Sequence, residues 1–146
     1  MLDRKYQIFI SSTFKDLKIA RLNVRDAILS MYHFPVGMEM FGSIDEDQWE
    51  VIKRDINASD YYVLIIGKML GSEVPGEDIS YTQKEFRYAV EQGVPVLAFL
   101  IKDDAKVAPS FEETDEVKIK KLATFRKEVE TGRIVSYWST PDELAG

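Results

Sequence analysis

The run Tyr61-Tyr-Val-Leu-Ile-Ile66 decides the fold of this chain, because an unbroken series of apolar residues forms a strand that must be covered on both faces. Strands of that kind are typical of parallel sheets with helices on both sides, and Gly67 ends this one. A sheet with one solvated face would instead show polar residues at alternate positions. We therefore predict that residues 61–66 form the centre of a parallel sheet.

Further strand signals alternate with helical patterns along the rest of the chain. The other predicted strands are 6–10, 34–40, 94–101 and 134–138, and Pro35 and Gly37 place the second strand at an edge. Apolar residues recur at helical spacing at Leu17, Ala20, Val24, Ile28 and Met31, at Trp49, Ile52 and Ile56, and at Ile119, Leu122, Phe125 or Arg126, and Val129. The pattern predicts an α/β domain of the three-layer, flavodoxin-like kind, with a five-stranded parallel sheet.

A fourth helix is predicted from the stretch Ser80-Tyr-Thr-Gln-Lys-Glu85-Phe-Arg-Tyr-Ala89. Ser80 is a good N-cap with Gln83 three residues later, and Gly93 supplies the stop. This helix carries an acid, Glu85, one turn inside its start. An α/β domain presents catalytic carboxylates at such positions.

The spacing within this helix assigns Glu85 to a face. At about 3.6 residues per turn, Phe86, Ala89 and Val90 form the apolar side, and Glu85 lies with Tyr81 on the other side. We therefore expect Glu85 to point away from the core. It is either a catalytic carboxylate or an ordinary surface glutamate paired with a basic neighbour.

Length and composition narrow the possible functions. The 146 residues, 45% of them hydrophobic, suffice for one well-buried domain and little more. The 25 acidic against 19 basic residues give a formal net charge of -6, which argues against a nucleic-acid partner. Cys is absent, which suits the cytoplasm, and no apolar run reaches membrane-spanning length. We expect a single domain, residues 1–146, that is cytoplasmic and binds neither nucleic acid nor membrane.

Catalytic sites based on histidine or on a metal ion find little support in the sequence. His33 is the only histidine and follows the first predicted helix, so a serine-histidine-acid triad or a His-rich metal site is not expected. The acidic groups at 45–47 and 103–104 are explained by charge at a helix start and by loop solvation. No metal site is assigned.

Ligands of such sheets bind outside the carboxyl ends of the strands, near the point where strand order reverses. This rule gathers residues 11–14, 39–42 and 67–76 and the start of the Glu85 helix on one rim. The run Ser11-Ser12-Thr13 offers hydroxyls and backbone amides for phosphate or ribose oxygens, although helix capping explains Thr13 and Asp16 equally well.

The rim loop that begins at Gly67 and Lys68 lacks the glycine-lysine pattern of a P-loop, so it is interpreted as a flexible loop. Among the acids predicted on the rim, only Glu85 lies on a rigid element.

Two segments outside the sheet complete the prediction. Residues 102–116 are polar and aperiodic, which predicts a surface loop. Residues 140–144, Thr-Pro-Asp-Glu-Leu, begin like a helix just before the chain stops. We expect that they were excised from a longer protein; the alternative is a natural frayed tail.

Several motifs occur in an order that carries a resemblance to a known family. They are Phe9-Ile-Ser-Ser-Thr-Phe14, Val36-Gly-Met-Glu39, Asp60 before the third strand with Gly67 and Gly71-Ser72 beyond it, Ser80-Tyr-Thr with Glu85, and Gly93-Val-Pro-Val96. The chain resembles the uncharacterised TIR-like family found at the N-termini of multidomain proteins, often ahead of NACHT-type ATPase or repeat domains. The resemblance implies that residues 1–146 are the N-terminal part of a longer protein.

The resemblance also implies a chemistry. TIR domains and nucleoside deoxyribosyltransferases, which are similar in fold, cleave N-glycosidic bonds with a glutamate on the helix after the third strand, and Glu85 occupies the matching place. The expected protein is a candidate NAD(+) nucleosidase in defence or signalling, with Glu85 as the catalytic acid. NAD or a related nucleotide would be the substrate, and no cofactor is expected.

Roles for the other rim residues follow from this resemblance. Ser11 and Ser12 would bind ribose or phosphate, Phe14 or Tyr81 would stack on a base, and Lys68 would balance pyrophosphate charge. Glu39 and Gly67 complete the substrate-binding set. Two noncatalytic alternatives stay open: an adaptor that self-associates within a larger protein, and a domain that senses a nucleotide without cleaving it.

Overall fold

A computed structural model of the chain describes residues 4–37 and 46–145. The strands are β1 (Gln7–Ser11), β2 (Phe34–Gly37), β3 (Tyr61–Ile66), β4 (Val96–Ile101) and β5 (Ser136–Trp138). The α-helices are α1 (Lys18–Ser30), α2 (Glu46–Asn57), α3 (Tyr81–Glu91) and α4 (Glu116–Glu130), and short 3-10 helices span Pro109–Phe111 and Pro141–Ala145. None of the helices in these described parts is long and apolar enough to cross a membrane.

The strands form one parallel sheet in the order β2-β1-β3-β4-β5. The predicted five-stranded parallel α/β fold is therefore confirmed, with β3 at the centre and β2 at an edge. The order in which strands are added reverses between β1 and β3. β2 lies on one side of this pair, and the later strands lie on the other. The boundary between β1 and β3 is the topological switch point of the fold.

Predicted and observed boundaries differ in β1, β4 and β5. β1 spans Gln7–Ser11 rather than residues 6–10. β4 begins at Val96, because Val94 donates its N–H to the carbonyl of Ala89 at the end of α3 and Pro95 has no N–H. β5 begins at Ser136, after an almost fully exposed Ile134. The second strand is described only to Gly37, and its predicted continuation, residues 38–40, lies outside the described residues.

Two apolar layers cover the sheet, one on each face. On one face, α2, α3 and α4 pack against the sheet through residues such as Ile52, Ile56, Phe86, Phe125 and Val129. On the other face, α1 packs through Leu17, Ala20, Val24 and Ile28, and Trp138 and Leu144 join that layer. Residues of β1 alternate between the faces, with Phe9 in the first layer and Ile8 and Ile10 in the second.

Several local expectations are resolved by this packing. Of the two alternatives predicted for the core position in α4, Phe125 is buried, whereas Arg126 is partly exposed. The prediction that Thr13 and Asp16 cap the first helix is wrong, because α1 begins at Lys18 and Leu17 occupies the N-cap without a side-chain bond. The Thr13 hydroxyl instead donates to the Asp16 carboxylate within the preceding turn.

Gly71 packs closely against the side chain of Thr13 in the turn after β1. It has a φ of +80°, and a Cβ added there would lie 2.6 Å from Cγ2 of Thr13. Gly76 has a similar φ of +78°, but a Cβ added there would have nothing within 4 Å. Substitution of the two glycines by alanine therefore distinguishes the cost of backbone strain from the cost of steric overlap.

We expect Gly71→Ala to lower the free energy of unfolding by about 2–3 kcal/mol, because positive φ and overlap with Thr13 add together. Gly76→Ala should cost about 1 kcal/mol, from its φ alone. Urea unfolding of both variants measures the difference. Equal losses would contradict the close packing of Gly71 on Thr13.

Candidate active site around Glu85

Glu85 lies in the buried face of α3. Ser80 caps the helix by accepting the N–H of Gln83 at 3.1 Å, which places Glu85 one turn inside the helix start. The side chain is 1% exposed. The prediction that Glu85 points away from the core is wrong, and so is the assignment of Val90 to the apolar side, since Val90 is 43% exposed.

The error has a geometric cause. The buried residues Thr82, Glu85, Phe86 and Ala89 follow the i, i+3, i+4, i+7 spacing of a single helix face. The apolar residues of α3, taken alone, predicted a buried face that included Val90 and excluded Glu85. A carboxyl group is tolerated on the buried face of a helix only if it has a hydrogen-bond partner there. The partner of Glu85 comes from a strand that is distant in sequence.

The partner is Ser11, the last residue of β1. Its hydroxyl donates to Oε1 of Glu85 at 2.7 Å, and both residues are 1% exposed. Ser11 lies in register with Leu64 of β3, so the bond stands at the carboxyl ends of the two strands that flank the switch point. Glu85 is therefore held where folds of this class bind ligands.

Arg21 brings a positive charge to the same region from α1. Its guanidinium donates to the Ser12 hydroxyl at 2.8 Å and to the Ile10 carbonyl at 3.3 Å, and the residue is 2% exposed. Sequence reasoning missed this residue. The signal was available, because an arginine beside Ala20 and before Val24 falls on the apolar face of an amphipathic helix.

Tyr62 is the second residue that sequence reasoning missed. Its ring stacks on Phe9 with centroids 5.6 Å apart, and the residue is fully buried in β3. Burial raises the pKa of its hydroxyl well above the usual range, and the nearby charge of Glu85 raises it further. Among the described residues, Oε2 of Glu85 has no hydrogen-bond partner.

The environment of Glu85 changes its acidity. Burial raises the pKa of its carboxyl from 4.5 to about 7, while the Ser11 hydrogen bond and the charge of Arg21 act in the opposite direction. Burial has the largest effect on this pKa, because the free-energy cost of removing a carboxylate from water exceeds the stabilisation from one hydrogen bond and one nearby cation. Near neutral pH the group is therefore poised between its acid and carboxylate forms.

The remaining predicted site residues lie in different surroundings. Phe14 is 50% exposed, with the Lys18 ammonium 5.2 Å from its ring centroid. Tyr81 begins α3 and donates its N–H to the Ser72 carbonyl at 3.0 Å. Glu39 lies outside the described residues.

Gly67 and Lys68 line a separate cleft beside α1. The Lys68 ammonium donates to the Asp103 carbonyl at 3.0 Å and lies 3.6 Å from the Glu112 carboxylate. The structure thus joins Ser11 directly to Glu85 and links Ser12 to Arg21. Within residues 4–37 and 46–145, no group of three or more His, Asp or Glu side chains is placed to hold a metal ion.

Comparisons with known proteins agree with this architecture. The chain belongs to the family described as "Domain of unknown function (DUF4062)", whose model matches residues 7–146. No curated protein matches it.

Among solved structures, the chain is similar to the TIR domains of the activated Roq1 resistosome, which directly recognizes the pathogen effector XopQ. The TM-score is 0.55 at 12% identity, over 88% of this chain and 72% of that one. A prokaryotic SEFIR domain matches with a TM-score of 0.46 at 14% identity, over 88% of this chain and 94% of that one. At such identities the likeness to the Roq1 domains establishes a TIR-like fold.

The raised pKa of Glu85 makes stability depend on pH. Because the folded-state pKa is about 7 against 4.5 for the free group, the native state binds more protons than the unfolded state between these pH values. The stability contributed by protonated Glu85 is full below pH 4.5 and is lost as pH rises through 7.

We expect Glu85→Gln, which stays neutral, to gain about 2–3 kcal/mol of unfolding free energy relative to wild type between about pH 5 and pH 8. Urea unfolding at both pH values measures this change, and groups common to the two proteins cancel in the difference. Parallel pH dependence of the two proteins would show that the Glu85 pKa is not raised.

Proposed function

We propose that this TIR-like domain hydrolyses the N-glycosidic bond of NAD or a related nucleotide, and that Glu85 is its catalytic residue. The observation that carries the proposal is a buried carboxyl at the switch point of the sheet, with one oxygen held by Ser11 and the other without a partner among the described residues. Buried groups with strongly perturbed pKa values at such positions are typical of catalytic sites.

The chemistry suits a carboxylate. Breaking the bond between ribose C1′ and the nicotinamide nitrogen leaves the electron pair on nicotinamide and oxocarbenium character on the ribose. An ionised Glu85 beside C1′ stabilises that charge, and water then adds to C1′ and releases a proton. The products are nicotinamide and ADP-ribose.

The two oxygens of Glu85 would have different roles. Oε1 accepts the Ser11 hydroxyl, which orients the carboxylate, and Oε2 is the oxygen that would face the ribose. Ser11 is therefore proposed as a positioning residue. Ser12 would bind ribose or phosphate only by exchanging its bond to Arg21, whereas Phe14 is exposed enough to stack on a base.

Access to Glu85 requires a change, because the side chain is 1% exposed. We propose that self-association within a larger protein, as in a multidomain defence or signalling assembly, opens the site. In this proposal the isolated domain is nearly silent at low concentration, and activity appears when copies are brought together. Assays should therefore include a support that crowds the domain.

Nicotinamide release from NAD tests the catalytic role directly. We expect Glu85→Gln to reduce release by at least about 100-fold, because a neutral amide cannot stabilise the oxocarbenium charge. Glu91→Gln is the matched control, since Glu91 lies on the same helix and is exposed. Release that survives in Glu85→Gln would refute the catalytic assignment.

The other outcomes separate the two noncatalytic alternatives. Saturable nucleotide binding with no product, in both wild type and Glu85→Gln, would identify a sensor. Association in dilute solution without ligand, and with neither binding nor turnover, would identify an adaptor. Circular dichroism confirms in each case that the fold is intact.

The pH profile tests the positioning role of Ser11. Since the ionised form of Glu85 is the active one, kcat/KM should rise with pH through about 7. The Ser11 hydrogen bond lowers the Glu85 pKa, so Ser11→Ala should move the profile to higher pH as well as slow the reaction. A slower reaction with an unmoved profile would leave Ser11 without this role.

A further inference from the structure

A cleft opens on the α1 side of the sheet. It has a volume of about 370 Å³ and lies beyond the carboxyl ends of β3, β4 and β5, beside the start of α1. Its floor contains the buried side chains of Leu17, Ala20, Ile101 and Trp138. Ligand pockets in proteins typically begin at about 300 Å³ and have mainly apolar linings with a few polar groups, so both size and lining are in range.

Lysines surround this apolar floor. Lys15, Lys18 and Lys106 are exposed at the mouth, and Lys68 is partly buried beside them. We call this feature the lysine-rimmed cleft. Four lysines line one opening in a chain that has 25 acidic and only 19 basic residues.

Acids partly balance these lysines. The Glu112 carboxylate lies 3.6 Å from the Lys68 ammonium, and Asp16 lines the cleft itself. The Glu143 carboxylate accepts the N–H of Ser139, another lining residue, at 3.2 Å. Burial raises the pKa of the Asp16 carboxyl, which favours its neutral form, although the bond from Thr13 opposes this effect. Lys15 and Lys106 form no ion pair among the described residues, so unpaired positive charge remains above the apolar floor.

We propose that the lysine-rimmed cleft binds a small organic anion with an aromatic or aliphatic body. The anionic group, a phosphate or a carboxylate, would contact the lysines at the mouth, and the body would lie on the floor formed by Ala20, Ile101 and Trp138. Lysine ammonium groups act as point charges for either anion, so their chemistry is shared. At about 370 Å³ the cleft lies at the lower end of the range for ligand pockets, which limits the ligand to a small molecule.

This site is distinct from the one around Glu85. Ser11 projects toward α3, where it meets Glu85, whereas the cleft is lined by α1 residues and by Ile101 and Trp138 of the opposite layer. The sheet separates the two. Gly67 and Lys68, which were predicted to contact the nucleotide substrate, line the lysine-rimmed cleft.

Trp138 makes binding observable without any assay of turnover. The chain has two tryptophans, so Trp49→Phe leaves Trp138 as the only one. In this background we would titrate 8-anilinonaphthalene-1-sulfonate, AMP and octanoate while recording Trp138 emission. A saturable change with AMP identifies phosphate recognition, and one with octanoate identifies carboxylate recognition; either supports the proposal.

Matched variants test where the anion binds. The double variant Lys15→Gln/Lys106→Gln should weaken binding by about tenfold or more, because each contact between an ammonium and an anion near the surface contributes about 1 kcal/mol. Lys127→Gln is the control, since Lys127 is an exposed lysine on α4 that does not line the cleft. Ala108→Phe, at the exposed rim, should block entry without altering a buried position and without adding a second tryptophan.

Three outcomes would overturn the proposal. They are no change in Trp138 emission with any probe, equal affinity in the double lysine variant and in Lys127→Gln, and binding of the naphthalene sulfonate alone, which would indicate nonspecific apolar adsorption. Glu85→Gln in the same background should bind as wild type does. This result keeps the test of the cleft separate from the test of NAD cleavage.

Discussion

The hydrogen bond from Ser11 to Glu85 joins the end of β1 to α3 across 74 residues of sequence, and the candidate site depends on it. An unsatisfied polar group in that place would cost about 1–3 kcal/mol, so each side chain stabilises the burial of the other. Arg21 adds a positive charge from α1, yet burial still keeps the pKa of Glu85 at about 7. A carboxyl group retained under such conditions is costly to the fold, and proteins keep costly groups mainly where they function.

The order of the strands explains why one domain places two chemically different sites at the same edge of its sheet. Because the order of the strands reverses between β1 and β3, the loops after these two strands lead to opposite faces of the sheet and leave room above the carboxyl ends. On the α3 side, that region holds the buried polar cluster of Ser11, Glu85 and Tyr62. On the α1 side, it holds the lysine-rimmed cleft with its apolar floor. The sheet keeps their chemistry apart, an acid on one face and a ring of cations on the other.

Much of the fold was predictable because its signals are local. The unbroken apolar run at residues 61–66 requires cover on both faces, and Pro35 with Gly37 suits only an edge strand, so both positions in the sheet were predicted correctly. The start of α3 followed from Ser80 and Gln83, which bond within a single turn. The burial of Glu85 was not predictable from the sequence of its own helix, since the residue that allows this burial belongs to β1. Arg21 and Tyr62 were missed for a similar reason, because each looks like an ordinary member of its own element.

The sequence by itself determined the class of fold, the central and edge strands, the start of α3 and the position of Glu85 one turn inside that helix. These properties depend on periodicity and capping, which act over a few neighbouring residues. Only the tertiary structure decided that Glu85 is buried, that Ser11 holds it, that Arg21 approaches from the opposite face, and that Lys68 belongs to another cleft. Burial and electrostatic environment are set by groups far apart in sequence, and those groups meet only when the sheet assembles.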